Sequence, residues 1–416
     1  MSISRRRFLA SGMSAVGSLM SAPYLLNLLA QQAQAAPRTA GSSKILILIQ
    51  LSGGNDGLNT VIPFTDPAYA KLRPAIQIKP DALIKLNDNL GLNQNLAQLE
   101  PLYKAGKVAI VQGVGYPNPN RSHFRSIEIW QTAEPKKIRD TGWIGRYLDL
   151  ANAGKSQMDN IFPAINVDAI LPKTLSAEKV VVPSISDLTN FTFKTDPRYE
   201  ADRKAQLSTF HSIYEKYSLD RPYINELRRV GLDTTEASDY IGKLVAESKD
   251  GAKYPNNGFG KGMKFIAQLI IGGVNCSVYT ISMGGYDTHT NEVNSQGNLF
   301  RNLSGAIQAL QTDLENHNLD KDVLIMTFSE FGRRVAENGG RGTDHGAAAP
   351  LFLIGSGVKG GIVGDAPDLT DLDDGDLKYK IDFRNVYATV LDKWMNADSK
   401  TVLGDKFDQL DLIKKS

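Results

Sequence analysis

Along the chain, short unbroken apolar runs alternate with longer amphipathic stretches. Lys44 to Leu51 reads KILILIQL, and VAIVQGVG (108–115), FPAINVDAI (162–170), CSVYTISM (276–283), VLIMTFS (323–329) and PLFLIG (350–355) follow the same pattern. Runs of this length, apolar on both alternating faces, mark strands buried from two sides. Helical patterns lie between several of them: GKGMKFIAQLII ahead of CSVYTISM, and QGNLFRNLSGAIQALQTDLENH behind it. Strands alternating with helices predict an α/β fold, a mostly parallel central sheet with helices on both faces. No internal repeat is visible.

Near the C-terminus, Asp382 can cap a helix on which Phe383, Val386, Tyr387, Val390, Leu391 and Trp394 share one face. Residues 185–260 depart from the alternation. Asp196-Pro197 starts a charged helical stretch, with an acid at the cap and proline in the first turn. This segment is expected to be a helical insertion, a cap over the sheet edge, within a single domain spanning 44–416. The acidic stretch DAPDLTDLDDGD (365–376) lacks the alternate-acid spacing of a calcium loop and is expected to be a solvated loop. Gly355 to Gly360 matches G-x-G-x-x-G, but GIVGDAPD follows in place of a helix, so no dinucleotide site is predicted.

Composition adds a compartment to this picture. With 416 residues, 42% of them hydrophobic, the chain is long enough to bury a full core. Residues 1–35 open with Ser4-Arg5-Arg6-Arg7-Phe8-Leu9, continue through a mildly apolar stretch and end in Ala33-Gln34-Ala35. That order is a cleavable export signal, and the paired arginines resemble the twin-arginine type. Gly12, Gly17, Pro23 and Asn27 interrupt the apolar stretch, so a stable membrane anchor is not expected. The expectation is a periplasmic or secreted protein whose partner in export is the twin-arginine translocase. Cys276 is the only cysteine, so no internal disulfide supports the fold. Removing the leader changes 47 basic against 45 acidic residues to 44 against 45, a net charge of −1. Such a balance points away from nucleic acid.

In open α/β sheets, ligands collect beyond the carboxyl ends of the strands. Four predicted strands end there in polar, glycine-rich loops: GGNDG with Asp56, GVGYPNPNRSH with Ser122 and His123, GGYDTH with Asp287 and His289, and SEFGR with Glu330 and Arg333. GTDHG, with Asp344 and His345, lies just before PLFLIG, so the loop from Phe331 to Ala349 must fold back across the same edge for His345 to join. Carboxylates and imidazoles from separate loops suit a borderline divalent cation, zinc or manganese, or two ions sharing a site. Calcium and magnesium are the harder alternatives. Ser122 lies where SHFRSIEIWQTA begins a helix, so the helix N-terminus and Arg125 can stabilise an anion beside its hydroxyl. The bland alternatives are turn acids beside surface histidines, a turn closed by Asp56, and a simple N-cap at Ser122. His211 and His317 fit structural roles, on a half-buried helix face and at a helix end.

The leader pattern together with LSGGNDGLNTVIP, NRSHF, GGYDTH, SEFGR and GTDHG, in this order, resembles the twin-arginine-exported bacterial DUF1501 family. That family is similar to the alkaline phosphatase and sulfatase superfamily. The resemblance implies an alkaline-phosphatase-like α/β core, a two-metal site and a serine, threonine or formylglycine nucleophile. By position, Asp56 and Glu330 correspond to ligands of one ion and Asp287, His289 and His345 to ligands of the other, with Asp344 beside them. Ser122 corresponds to the nucleophile, and His123 is left as a general acid or as a support for the ligands. Arg125 and Arg333 are expected to grip ester oxygens. Glu330-Phe331 stands where the superfamily has an Asp-His pair, and phenylalanine cannot ligate. Neither Cys276 nor Ser122 has the Pro and Arg context that formylglycine requires. The expected function is a metal-dependent hydrolase of phosphate or sulfate esters, acting on a small-molecule or glycan ester. The alternative is a noncatalytic binding protein on a degenerate hydrolase fold.

Overall fold

The computed structural model describes residues 44–154, 163–182, 184–185 and 251–414, with isolated positions between 202 and 212. The expected leader, and most of the 185–260 stretch with Asp196, Pro197 and His211, lie outside the described residues.

Eight strands form the central sheet: β1 (Ile45–Leu51), β2 (Val108–Gly115), β3 (Ala164–Asn166), β4 (Val278–Met283), β5 (Val323–Phe328), β6 (Ala349–Ile354), β7 (Gly361–Val363) and β8 (Ile381–Asp382). Their order is β7, β2, β6, β5, β1, β4, β3, with β8 pairing the far end of β2. The main helices are α1 (His123–Thr132), α2 (Trp143–Ala151), α3 (Gly258–Ile271), α4 (Glu292–Asn316) and α5 (Phe383–Thr389). They cover both faces, as the alternation predicts.

Strand β1 shows why the apolar run is continuous. It lies parallel between β4 and β5, so both of its faces are covered. Ile45, Ile47, Ile49 and Leu51 enter the layer shared with α3 and α4, whereas Leu46 and Leu48 enter the layer shared with α1, α2 and α5. Burying each such side chain contributes about 1.5–3 kcal/mol. Asp382 caps α5 as expected, its carboxylate accepting from the Arg384 N–H at 2.9 Å. Phe383, Val386 and Tyr387, with Val390, Leu391 and Trp394 in the wider turn that follows, are all buried.

Two features depart from the expected pattern. FPAINVDAI supplies only the three residues of β3, and residues 61–93 contribute a small three-stranded antiparallel sheet that the hydrophobic pattern does not announce. More consequentially, β6 runs antiparallel to both neighbours, β2 and β5. Strands β1, β2, β4 and β5 end at one edge, and β6 therefore begins there. The segment from Ser329 to Ala348 stays at that edge and need not fold back across it. Among the described residues, no helix is long and apolar enough to cross a membrane.

Candidate metal centre

Three loops converge beyond the carboxyl edge because their backbones interlock. After β1, Gly53 adopts a φ of 122°, and a Cβ there would lie 2.3 Å from the Asp287 nitrogen, so only glycine lets these two loops touch. After β5, Gly332 to Arg334 pairs antiparallel with Asp344 to Ala347, which sets His345 opposite Arg333. The Thr343 N–H donates to the Thr288 carbonyl at 3.2 Å, joining the GGYDTH and GTDHG turns.

At this junction His123, Asp287 and His345 bring donor atoms within 4.8 Å of one another, and His289 stands beside Asp287 and His345. His289 Nε2 and His345 Nε2 are 3.0 Å apart, and they lie 3.0 and 3.2 Å from Asp287 Oδ1. His123 Nε2 approaches from the other side, 3.5 Å from Asp287 Oδ2. Donors bound to one ion at about 2.1 Å stand about 3.0–3.4 Å apart, so these spacings match the edges of a coordination polyhedron.

The other ring nitrogens each face an oxygen acceptor. His345 Nδ1 faces the Arg121 carbonyl at 2.8 Å, His289 Nδ1 the Asp344 carboxylate at 3.2 Å, and His123 Nδ1 the Glu330 carboxylate at 3.0 Å. A carbonyl or carboxylate oxygen accepts, so each Nδ1 can donate to its partner, an arrangement that leaves Nε2 available to a cation. Two Nε2 atoms 3.0 Å apart repel when both present lone pairs, unless a proton or a cation lies between them. With Asp287 added, the donor set fits a cation. Burial alone would raise the Asp287 pKa, but hydrogen bonds from Arg333 and His345 hold its carboxyl below the usual range. A hydrogen bond from Asn338, followed by one from His289, likewise holds Asp344 low.

The sequence-predicted residues therefore separate into groups. Asp287, His289 and His345 meet, and His123, expected as an acid or a support, joins them as a donor. Its ring packs against Phe331 and His345 with centroids 5.0 and 4.4 Å apart, so phenylalanine floors the site while His123 brings the additional imidazole. Asp344 and Glu330, expected as ligands, instead face Nδ1 of His289 and His123. Glu330 also accepts from the Gly53 N–H at 2.8 Å and from Ser329.

Asp56 takes a different role from the ligand expected of it. Both of its oxygens are engaged by the Arg73 guanidinium, and both residues are buried. Burial would raise the carboxyl pKa, yet Arg73 holds it below the usual range. Neither acid expected for a second ion is thus left free.

The two arginines expected to grip ester oxygens are also occupied. Arg333 is 1% exposed and donates to the Gly53, Gly54, Tyr286 and Thr343 carbonyls and, at 2.7 Å, to Asp287. Arg125 is turned along α1 onto Glu128 and the Pro135 carbonyl. Ser122 is exposed at the α1 N-cap, and its hydroxyl makes no capping bond. His317 ends α4 with Nδ1 donating to the Asp313 carbonyl at 2.8 Å.

Sequence reasoning missed Arg73 and Glu292. Arg73 lies in an ordinary-looking polar stretch, and Glu292 resembles any acid in a first helical turn. No spacing signal marks either one.

A cleft of about 860 Å³ adjoins the centre, lined by Pro117 to Arg121, Ala347, Asp373, Asp374 and the segment from Asp376 to Tyr379. Arg121, whose carbonyl receives His345, pairs its side chain with Asp374 and Asp376 across this cleft. The acidic stretch expected as a free loop is therefore partly a wall.

Fold and site together define a mixed α/β protein whose mainly parallel sheet carries a histidine-rich candidate metal centre at its carboxyl edge. The chain belongs to the DUF1501 family, described as a protein of unknown function, whose model matches residues 109–408. No curated protein sequence matches it. Among solved structures it is similar to the PsFucS1 sulfatase from Pseudoalteromonas sp., at 12% identity and a TM-score of 0.38, covering 94% of this chain and 75% of that one. It is also similar to the phosphonate monoester hydrolase SpPMH from Silicibacter pomeroyi, at 10% identity and a TM-score of 0.37, covering 89% and 78%. Likeness this distant transfers no activity.

Proposed function

We propose that the chain is an exported, metal-dependent hydrolase of phosphate or sulfate esters. One observation carries the reading: donor atoms of His123, Asp287 and His345 lie within 4.8 Å of one another with His289 Nε2 3.0 Å from Asp287 beside them, while each Nδ1 faces its own oxygen partner. Arg333 offsets the charge of Asp287, so imidazole dominates the donor set, which favours zinc or manganese over calcium or magnesium. When bound, such an ion would polarise the ester oxygens and lower the pKa of a water.

The chain's own residues supply the rest. His123, His289 and His345 offer imidazole nitrogens, their rings oriented through Nδ1 by Glu330, Asp344 and the Arg121 carbonyl. Ser122 presents an uncommitted hydroxyl at the N-terminus of α1, where the unpaired backbone N–H groups favour an anion. Its position supports a nucleophilic role for Ser122. The adjoining cleft would take the alcohol portion of the ester, a small molecule or glycan. The leader residues support export through the twin-arginine translocase to the periplasm or beyond.

A second reading has its own support. Because Arg125 and Arg333 are both committed to other partners, no guanidinium from this pair is free for ester oxygens, as suits a metal-binding protein without turnover. One experiment separates the two. Chelator-stripped protein is reloaded with zinc or manganese and assayed on chromogenic phosphate and sulfate esters, beside His345→Ala and Ser122→Ala. Ion-dependent turnover lost in both variants is the expected result. Stoichiometric metal uptake without turnover selects the binding protein, and absence of uptake removes the metal reading altogether.

A further inference from the structure

Glu292 opens the 25-residue helix α4, yet it is fully buried and its carboxyl faces no solvent. Oε2 accepts from the Thr288 hydroxyl at 3.2 Å and also from the Thr343 hydroxyl. Oε1 accepts from Asn59 Nδ2 at 3.1 Å. Thr288 stands between Asp287 and His289, and Thr343 immediately precedes Asp344 and His345. In both turns, successive side chains alternate. The threonines point inward, at 4% and 0% exposure, while the metal-facing residues beside them point out.

We propose that Glu292 is the positioning residue that clamps the two ligand-bearing turns from behind, keeping Asp287, His289 and His345 convergent before any ion binds. The inference rests on the metal-binding reading and deepens it.

The neighbours of Glu292 explain why an acid is used here and not an apolar side chain. A protonated carboxyl can accept from the threonine hydroxyls and at the same time donate to a second carboxylate, which an apolar side chain cannot, and Glu292 is hydrogen-bonded to Asp56 as well. Arg73, which holds Asp56, also donates to the Arg334 and Val335 carbonyls, at 2.8 Å each. Through this chain of bonds the exits of β1, β4 and β5 share one buried anchor. The Glu292 N–H adds a backbone tie to the Arg341 carbonyl at 3.1 Å. Burial, reinforced by the Asp56 charge, pushes the Glu292 pKa up to about 9. A neutral amide is therefore its conservative substitute.

The experiment is a zinc titration by calorimetry into chelator-stripped full-length protein. Glu292→Ala is expected to weaken zinc binding about 10- to 100-fold, the range seen when a group that orients metal ligands is removed. Glu292→Gln, which keeps an acceptor for the hydroxyls and a donor for Asp56, is expected to restore most of it. Should Glu292→Ala fail to fold, the double variant Thr288→Val with Thr343→Val removes the clamped hydroxyls and leaves Glu292 in place. The same loss of affinity is expected there. Wild-type affinity in Glu292→Ala or in the double valine variant overturns the proposal, and so does a glutamine variant as weak as the alanine one. A wild-type chain that takes up no zinc overturns the metal-binding reading itself, and this inference with it.

Discussion

Glu292→Gln also isolates one titration in the stability of the fold. The carboxyl is pushed from its ordinary 4.5 up to about 9 by burial, with the Asp56 charge as the next cause. The folded protein therefore holds a proton that the unfolded chain releases above pH 4.5 or so. Where the folded state binds more protons, stability falls as pH rises. Glu292 thus contributes its full stability in acid and loses it progressively up to its folded pKa. Each pH unit in that window is worth about 1.4 kcal/mol. Between pH 7 and pH 9 the unfolded chain gains about 2.7 kcal/mol, and half-ionisation of the folded side chain at pH 9 returns about 0.4, leaving about 2 kcal/mol. The groups facing Glu292 do not titrate there. Arg73 stays charged, Asp56 stays ionised, and burial raises Tyr69 beyond the range. Urea unfolding of wild type and Glu292→Gln at both pH values gives the double difference directly, with other groups cancelling. Wild type is expected to lose about 2 kcal/mol more than the variant. Parallel losses would mean that Glu292 is already ionised at neutral pH, and the buried-proton reasoning fails.

Other outcomes follow from the same geometry. Arg73→Met leaves the Asp56 carboxylate buried without its cation and should cost about 3–5 kcal/mol in urea unfolding, much of it recovered by adding Asp56→Asn; a loss under about 1 kcal/mol would contradict the pairing. Zinc held at 100 times its Kd should raise unfolding stability by about 2.7 kcal/mol, an effect absent in His345→Ala. Gly53→Ala should weaken zinc uptake as well as stability, because its Cβ would meet the Asp287 nitrogen at 2.3 Å; an unchanged zinc isotherm would refute the contact. Ser122→Ala should abolish ester turnover and leave zinc affinity unaltered, since its hydroxyl caps nothing. A fall in affinity would make Ser122 a support for the site and not a nucleophile.

Much of the fold was legible because burial leaves a local signature. A strand covered on both faces, such as Ile45–Leu51, must be apolar throughout, and a helix packed on one side, such as the one capped by Asp382, must show its 3.6-residue stripe. The loops carrying Asp287, His289 and His345 could be singled out because chemistry collects at strand exits. Their grouping needed the fold. Nothing local distinguishes Asp56, locked onto Arg73, from Asp287, which faces three imidazoles, since each follows a strand in a glycine-rich loop. Arg333 reads as a free cation until five acceptors surround it. The direction of β6 decides that His345 arrives at the ligand edge, and an apolar run is the same read forwards or backwards. Glu330 meets the Gly53 N–H across 277 positions of sequence. Hydrophobic pattern is a property of neighbouring residues and survives in the sequence, whereas the partner of a polar atom is set by which distant segments meet, and only the tertiary structure decides that.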